Sequence, residues 1–340
     1  MGPCEIRTQR TLVLLVVLAC VALGACAGTT RTAPITVEEL PGLCTPIAAA
    51  PAGSWATSCL GGSVSNVDTG TAIDLRCPNQ VDALVDAIVA VPGDVVAIFG
   101  CVDVNSPRTM AQSLVKNPGS PPVDMGFPAY ALGPAVYVPG DGGSIVMLSG
   151  KCDGLLAYRF TSLESLAGRM VPISSISIDG RTLELDANRD YEAAPPCTKL
   201  SAVSGLGASD DGSVLALAVE GPASASIFER PVDTYVGTVS IRDSSKGFVL
   251  DGDMRRIAAD RPHPAYQIGV VICGGEPKLV IGEKGRLKLL SKGQVTLLSL
   301  PTDSEWSGKA VSSDGRSLLA ATEIPFAAGV LYRANDVHLC

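Results

Sequence analysis

The chain has 340 residues, which is enough for one large domain or two small ones with a sizeable core. Its hydrophobic fraction of 46% and charged fraction of 18% exclude an intrinsically disordered protein. The formal net charge of −8 excludes a nucleic-acid-binding protein of the kind that relies on clustered Lys and Arg, and we expect no nucleic-acid partner.

The N-terminal 25 residues have the pattern of an export signal. Arg7 and Arg10 precede an almost unbroken apolar run over residues 11–23, and small residues follow it. A cationic start, an apolar stretch of about 7–15 residues and a small-residue end are typical of a secretory signal peptide. The run is shorter than the about 20 residues that a membrane-spanning helix needs. We therefore predict a signal peptide over residues 1–25.

The end of this segment, Leu23-Gly24-Ala25-Cys26, resembles the lipobox of bacterial lipoproteins. The resemblance implies that the Cys26 thiol receives a diacylglyceryl group, that cleavage occurs just before it, and that the new N-terminus is acylated, for example with palmitate. It implies a lipid anchor in the cell membrane and a domain on the extracytoplasmic face. Cys20 fits less well, because Leu18 stands where a small residue is needed. The alternatives are an uncleaved anchor and a non-lipidated export signal.

Eight cysteines follow Cys26, and an even number in an exported protein predicts a disulfide framework. They are Cys44, Cys59, Cys77, Cys101, Cys152, Cys197, Cys273 and Cys340. No two lie closer than 15 residues, which excludes a Cys-x-x-Cys zinc or redox pair. Pairing between neighbours (44–59, 77–101, 152–197) is the simplest arrangement. We expect Cys340 to pair with Cys273 or with the start of the fold.

After Cys26, residues 26–42 are rich in Thr and Ala and lack an apolar period, which predicts a flexible tether. The globular domain is expected over residues 43–340. Near its start, Val81, Leu84, Val85, Ile88 and Val89 have the spacing of an amphipathic helix. Asn79 is a suitable N-cap and Pro92-Gly93 a suitable stop, so one helix is predicted between them.

Most of the remaining chain consists of short aliphatic or β-branched runs bounded by Gly, Pro, Asp or Ser, which predicts an all-β fold. Asp-Gly, a strong hairpin signal, recurs between these runs. The turn residues are Asp141, Gly142, Asp179, Gly180, Asp211, Gly212, Asp251, Gly252, Asp314 and Gly315, with Lys284-Gly285 as a degenerate copy. Their spacing of 30–40 residues predicts a repeated supersecondary unit.

Three of these turns follow a serine, as in Ser209-Asp210-Asp211-Gly212, and they resemble the Ser-x-Asp-Gly repeat of TolB-type and WD-like β-propellers. The resemblance covers roughly residues 135–335, and the Trp-Asp dipeptide of the WD-like proteins is absent from the chain. It implies an all-β propeller of about seven blades, in which each turn opens an inner strand. A β-sandwich or two β domains is the alternative.

The sequence contains no pattern that points to catalysis. His263 lies between two prolines and His338 lies near the C-terminus, and neither accompanies a nucleophile motif. Asp210 and Asp211 are explained by turn formation, and no loop has the oxygen spacing of an EF-hand. We predict no catalytic residue, no metal site and no cofactor.

The expected function is that of a lipid-anchored, extracytoplasmic β-propeller that binds an envelope protein or glycan or serves as a scaffold at the cell envelope. One alternative is a propeller enzyme, such as a lyase, a glycosidase or a quinoprotein-type dehydrogenase. Another is a structural envelope lipoprotein. Converging ionised side chains at the central channel would favour the enzyme, and Ser, Thr and Gly there would favour binding.

Overall fold

Strands account for all the regular structure that the computed structural model describes. It describes residues 36–50, 53–78, 83–101, 107–126, 133–140, 142–148, 154–185, 203–220, 232–245, 247–261, 267–283, 286–291, 293–299, 310–313, 317–322, 330–335, 337 and 339–340. The strands are β1 (Thr36–Pro41), β2 (Leu43–Ala50), β3 (Gly53–Ser58), β4 (Ser63–Asn66), β5 (Ala72–Asp74), β6 (Ala83–Val91), β7 (Asp94–Cys101), β8 (Arg108–Ser113), β9 (Val123–Asp124), β10 (Ala135–Val138), β11 (Ser144–Leu148), β12 (Leu155–Ser162), β13 (Ala167–Ile178), β14 (Arg181–Glu184), β15 (Val203–Ala208), β16 (Val214–Glu220), β17 (Val232–Ser244), β18 (Gly247–Arg261), β19 (Gly269–Cys273), β20 (Glu276–Glu283), β21 (Arg286–Leu290), β22 (Gln294–Ser299), β23 (Ala310–Ser313), β24 (Ser317–Thr322) and β25 (Val330–Asn335).

These strands form antiparallel four-stranded units, which we call blades. Blades 1 to 5 consist of β2–β5, β6–β9, β10–β13, β15–β18 and β19–β22, and blade 6 of β23–β25 with β1 as its fourth strand. The first strands of the blades contact one another in the order β2, β6, β10, β15, β19, β23 and back to β2. This closed ring defines a β-propeller. The predictions of an all-β fold and of a propeller are confirmed.

The described strands form six blades, whereas the spacing of the Asp-Gly turns predicts about seven. The blades differ in length, and the chain takes 68 residues from Ala135 of blade 3 to Val203 of blade 4. Asp179-Gly180 forms the turn between β13 and β14, and Asp251-Gly252 lies inside β18. The prediction that each copy opens an inner strand is wrong for these two pairs, so counting copies overestimates the number of blades.

The helix predicted to end at Pro92 is wrong, because Ala83–Val91 is strand β6. A β-bulge between Val85 and Ala87 interrupts the pairing of β6 with β7. An extra residue reverses the alternation of side chains. Val85 and Ile88 therefore both pack between blades 1 and 2, while Ala87 packs between blades 2 and 3. This three-residue interval has the same spacing as one turn of an amphipathic helix.

The tether predicted over residues 26–42 is too long, because Thr36–Pro41 is strand β1. β1 pairs with β25 along its whole length, from Thr36 opposite Asn335 to Pro41 opposite Val330. The segment becomes a strand because β25 offers a free edge whose backbone groups need partners. The propeller therefore begins before the predicted boundary at residue 43.

An ion cluster fastens this closing strand. Arg333 of β25 donates hydrogen bonds from Nε (2.9 Å) and Nη2 (2.6 Å) to Oε2 of Glu38 in β1. Its Nη1 donates to Oδ1 of Asp68, in the turn between β4 and β5, at 2.7 Å. The other oxygen of Asp68 accepts from the backbone N–H of Ser54 at 2.7 Å. Arg333 thus links the N-terminal strand, blade 1 and the C-terminal strand.

The hydrophobic core lies between the blades. Separate clusters fill the spaces between blades 1 and 2, 2 and 3, 3 and 4, 4 and 5, and 6 and 1. Blades 3 and 4 are joined more closely, since their outer strands β13 and β18 pair in parallel from Ile173 opposite Phe248 to Ile178 opposite Met254. Eight of the strands form one continuous path, with β14 attached at its side.

Three disulfides hold the described part of the chain, which confirms the predicted framework for six cysteines. They join Cys44 to Cys59, Cys77 to Cys101, and Cys273 to Cys340. The first two occupy equivalent places, because each ties the end of a blade's second strand to the chain at the start of its first strand. The third attaches the C-terminus to β19. Cys152 and Cys197 lie outside the described residues, and their pairing stays a prediction.

Candidate functional site

The first strands of blades 1 to 5 enclose a cavity on the axis of the ring, with a volume of about 60 Å³. Aliphatic residues and glycine make up most of its lining. The polar side chains among the described lining residues belong to Tyr137, Ser209, Asp210 and Gln267. A water molecule needs roughly 10–15 Å³ by this measure, so the cavity has room for a few waters.

Blades 4 and 5 approach each other closely beside this cavity and narrow it. Leu206 of β15 and Gln267 form an isolated parallel bridge, and the N–H of Ile268 donates to the carbonyl of Leu206 at 3.1 Å. A Cβ at Gly207 would overlap the carbonyl oxygen of Ile268. Glycine is therefore required at position 207 for the backbones to meet.

The turn between β15 and β16 borders the cavity. Oδ1 of Asp211 accepts hydrogen bonds from Oγ of Ser209 (2.7 Å), from the backbone N–H of Ser213 (3.0 Å) and from Oγ of Ser213 (2.7 Å). These bonds, the one from Ser209 above all, lower the pKa of Asp211 because they favour its charged form. The pair Asp211-Gly212 thus stabilises the turn, while Asp210 remains exposed beside the cavity.

The same turn packs on the neighbouring blade. Gly212 has φ of 68°, and a Cβ there would lie 2.6 Å from the carbonyl oxygen of Tyr137 in β10. A side chain at position 212 would therefore strain the backbone and push blades 3 and 4 apart. The Ser-x-Asp-Gly sequence serves both the hairpin and the contact between two blades.

Most of the polar groups at the cavity bind the protein itself. Nε2 of Gln267 donates to the carbonyl of Ile47 at 2.9 Å, and Oγ of Ser209 accepts from the N–H of Val214 at 3.1 Å. Burial raises the pKa of Tyr137, so its phenol stays neutral at physiological pH. Asp210 is the one carboxylate among the described lining residues, whereas a glycosidase uses two.

Several predicted residues lie outside the described ones, and the statements about them stay predictions. They are Cys26, Asp141, Cys152, Cys197, His263, Asp314, Gly315 and His338, together with Lys284-Gly285. Gly142, by contrast, is described and has φ of 87° in the turn between β10 and β11. Within the described ranges, no group of three His, Cys, Asp or Glu side chains is arranged to hold a metal ion. The described part of the chain also holds no helix with the length and apolarity that crossing a membrane takes.

The two ends of the ring differ, and we name them by the first strands of the blades. All these strands begin at what we call the start end, where Leu43 and Ala83 lie. They finish at what we call the turn end, which carries the tight turns to the second strands, such as Asp211-Gly212. Thr36 pairs with Asn335, and Asn335 also pairs with Ser317, the first residue after the β23–β24 turn. Thr36 therefore lies at the turn end.

Large apolar side chains are exposed at both ends. At the start end, Leu60 is 99% exposed and Leu84 is 56% exposed. At the turn end, Val115 and Ile272 are 38% and 41% exposed. Leu60 is not among the predicted site residues, although a large apolar residue between Cys59 and two glycines is unusual for a turn and is a signal for it.

Comparison with known proteins finds a likeness of fold at low sequence identity. No protein-family model matches the chain, and no curated protein sequence is similar to it. A catalytically inactive virginiamycin B lyase from Staphylococcus aureus, solved with quinupristin, superposes with a TM-score of 0.48 at 13% identity, over 88% of this chain and 99% of the other. The Cps50 (Swd1) β-propeller domain of Myceliophteria thermophila gives 0.48 at 11% identity, over 88% and 99%.

A glucose dehydrogenase gives a TM-score of 0.42 at 13% identity, over 88% of this chain and 98% of the other. These likenesses concern the fold alone. Because a propeller carries unrelated functions, no substrate or partner of these proteins transfers to this chain.

Proposed function

We propose that this chain is a lipid-anchored, extracytoplasmic β-propeller that binds a partner protein or glycan at the cell envelope through its surface. The observation that carries the proposal is the small, largely aliphatic cavity on the ring axis. Sites for small-molecule substrates and cofactors have volumes of about 300–1,000 Å³. A cavity of about 60 Å³ is too small for a sugar or a quinone cofactor, which favours the outer faces of the described ring for ligand binding.

The polar groups support the same proposal. An enzyme on this scaffold would need a convergent set of acids, bases or oxyanion donors. In the described lining, the hydroxyl of Ser209 and the amide of Gln267 already hold the protein's own backbone. A binding platform needs no such set, since a propeller offers a wide, rigid face.

The compartment is inferred from two independent features. The Leu23-Gly24-Ala25-Cys26 tetrad after an apolar run resembles a lipobox, and three disulfides hold the described domain. Disulfides of this kind persist in oxidising, extracytoplasmic compartments. Two or more acyl chains on Cys26 would hold the protein stably at a membrane, whereas one chain binds only marginally.

The first test replaces Cys26 by Ala in the full chain, produced in a bacterial host. We expect the wild-type chain to be cut before Cys26, to incorporate radiolabelled palmitate and to fractionate with membranes. The Cys26→Ala chain should lose the label and remain unprocessed or be released. Cys20→Ala is the matched control and should behave like the wild type. Mature-length, membrane-bound Cys26→Ala protein would contradict the lipid anchor.

The second test concerns binding. The wild-type chain is cross-linked in its native envelope, purified through a C-terminal tag and analysed by mass spectrometry. We expect one protein or glycan in a fixed stoichiometric ratio to the chain. Cross-linking that yields only the chain itself would favour the structural lipoprotein over the platform.

A further inference from the structure

We propose that the Cys273–Cys340 disulfide is a regulatory, redox-sensitive latch, which a dithiol protein opens by attacking Sγ of Cys340. The bond joins the chain that follows β25, in blade 6, to the end of β19, in blade 5. It therefore links two blades, whereas the other two described disulfides each lie within one blade. We call residues 337, 339 and 340, which the structure describes after β25, the latch segment.

Exposure distinguishes this disulfide from the other two in the described part of the chain. Cys340 is exposed and Cys273 is half-buried. The four remaining paired cysteines are half-buried (Cys44, Cys59) or buried (Cys77, Cys101). Thiol–disulfide exchange requires that a thiolate reach the sulfur it attacks, so exposed disulfides are the labile and regulatory ones. Cys340 is the sulfur that a thiolate can reach.

Lys278 of β20 is placed to stabilise the thiolate that leaves. Its Nζ donates a hydrogen bond to the carbonyl oxygen of Leu339 at 3.1 Å, and Sγ of Cys273 lies 3.4 Å from the same oxygen. Lys278 pairs with Val271, two residues before Cys273, so the two side chains lie on one face of the β19–β20 hairpin. A neighbouring ammonium group stabilises a thiolate, and a more stable thiolate leaves faster. Cys273 is therefore the favoured leaving group.

Glu276 is the charged residue directly opposite Cys273 in this hairpin. Its side chain is exposed, so water and salt screen its negative charge. Lys278 is half-buried and is held against the oxygen that the sulfur contacts. The positive charge of Lys278 therefore has the larger effect on Cys273.

The exchange takes two steps, and atoms and electrons balance in both. A thiolate of the dithiol protein bonds to Sγ of Cys340, while the electron pair of the broken Cys273–Cys340 bond leaves on Cys273, which takes up a proton. The second thiol of the reductant then loses its proton and attacks the reductant's own sulfur. This forms the reductant's disulfide and releases Cys340, which is protonated. The chain gains two electrons and two protons, and the dithiol loses them.

Opening the latch changes the surface of blade 5. Val337 and Leu339 are each 3% exposed. Without the disulfide, the burial of these side chains and the hydrogen bond from Lys278 hold the segment, so it opens and closes in a local equilibrium. The open state adds apolar surface beside Ile272, which is 41% exposed and whose carbonyl oxygen lies 3.7 Å from Sγ of Cys340. The redox state thus controls which apolar groups this surface presents.

Stepwise reduction of the purified full chain tests the latch. The chain is incubated without denaturant at increasing concentrations of dithiothreitol, and free thiols are alkylated and located by mass spectrometry of peptides. We expect Cys273 and Cys340 to become free at a concentration about tenfold or more below the one that reduces Cys77–Cys101. Simultaneous reduction, or earlier reduction of Cys77–Cys101, would overturn the proposal.

Glutathione, a monothiol, identifies the sulfur that is attacked, because acid traps its mixed disulfide with the chain. We expect the adduct on Cys340 and a free thiol at Cys273. Lys278→Met should slow the reaction severalfold, whereas Lys278→Arg keeps the charge and should restore the rate. If Lys278 only held the segment in place, Lys278→Met would speed the reaction. An adduct on Cys273, or an unchanged or faster reaction of Lys278→Met, would contradict the assigned roles.

Hydrogen exchange and cellular alkylation test the opening and its use. After selective reduction, the amide of Leu339 should exchange about tenfold faster or more, and that of Val64 in blade 1 should not change. Unchanged protection of Leu339 would refute the opening. In the native envelope, alkylation should find a fraction of the chain with free thiols at Cys273 and Cys340. A latch that is fully oxidised under all growth conditions would refute the regulatory role. These measurements need no binding partner, so they test the latch separately from the proposed function.

Discussion

Arg333 shows how much a single side chain can do in a ring-shaped fold. It is 295 residues from Glu38 and 265 residues from Asp68, yet it binds both carboxylates. Only 16% of its side chain is exposed, so solvent screens these ion pairs less than it screens surface pairs. The cluster closes the ring where its two ends meet.

We expect Arg333→Gln to lower the free energy of unfolding by about 1–3 kcal/mol, because two carboxylates lose charged hydrogen bonds and are left near each other. Urea denaturation of the purified domain measures this. Arg108→Gln is the matched control, since Arg108 pairs with Asp124 at 3.1 Å but its side chain is 57% exposed, against 16% for Arg333. It should cost less than about 1 kcal/mol. Equal costs would contradict a special role for Arg333.

The residues next to Arg333 in the sequence contain no pattern that predicts its ion-pair partners. A turn such as Asp211-Gly212 is different, because its hydrogen bonds join residues at most five positions apart. Local chemistry can be predicted from local sequence. The partners of Arg333 and of Gln267 depend on the ring closing, so no short-range pattern identifies them.

Strand β1 illustrates the same distinction for elements. Its residues have no apolar alternation, and we predicted a tether there. The free edge of β25 makes it a strand, because an unpaired edge has backbone donors and acceptors to satisfy. Strand β6 is predicted as a helix for a different reason. Its apolar pattern is strong, but a bulge at Asp86 breaks the two-residue period of a strand.

Removing β1 tests its role directly. A secreted domain that begins at Leu43 should be strongly destabilised or unfolded, because six residues of β25 lose their partner strand at about 1 kcal/mol for each hydrogen bond. Circular dichroism melting measures the effect. The control domain begins at Thr36 and should melt with the full-length protein. Equal melting temperatures for the two domains would show that β1 is dispensable for stability.

At the scale of the whole molecule, the ring explains both the cavity and the two unlike ends. Aliphatic side chains on the first strands and the close contact at Gly207 leave little space on the axis. The proposed function accordingly places recognition on the outer surface. Strand β1 begins at the turn end, while two disulfides brace the start end in blades 1 and 2.

The number of blades is also a property of the whole molecule. The turn spacing of 30–40 residues predicts about seven, but blades 3 and 4 contain long outer strands: β13 of 12 residues in blade 3, and β17 and β18 of 13 and 15 residues in blade 4. An Asp-Gly pair marks a turn or a bend wherever it occurs, and only the strand pairing tells which turns open a blade. The described strands form six.

The sequence by itself determined the all-β character, the use of cysteines in disulfides and the turn chemistry, because each depends on neighbouring residues or on composition, and the propeller class followed from the resemblance of its Ser-x-Asp-Gly turns to known repeats. The tertiary structure alone decided the blade count, the closure by β1, the bulge in β6, the narrow channel and the exposure of Leu60. Those features arise from contacts between residues far apart in the chain, where packing and edge pairing outweigh local preference.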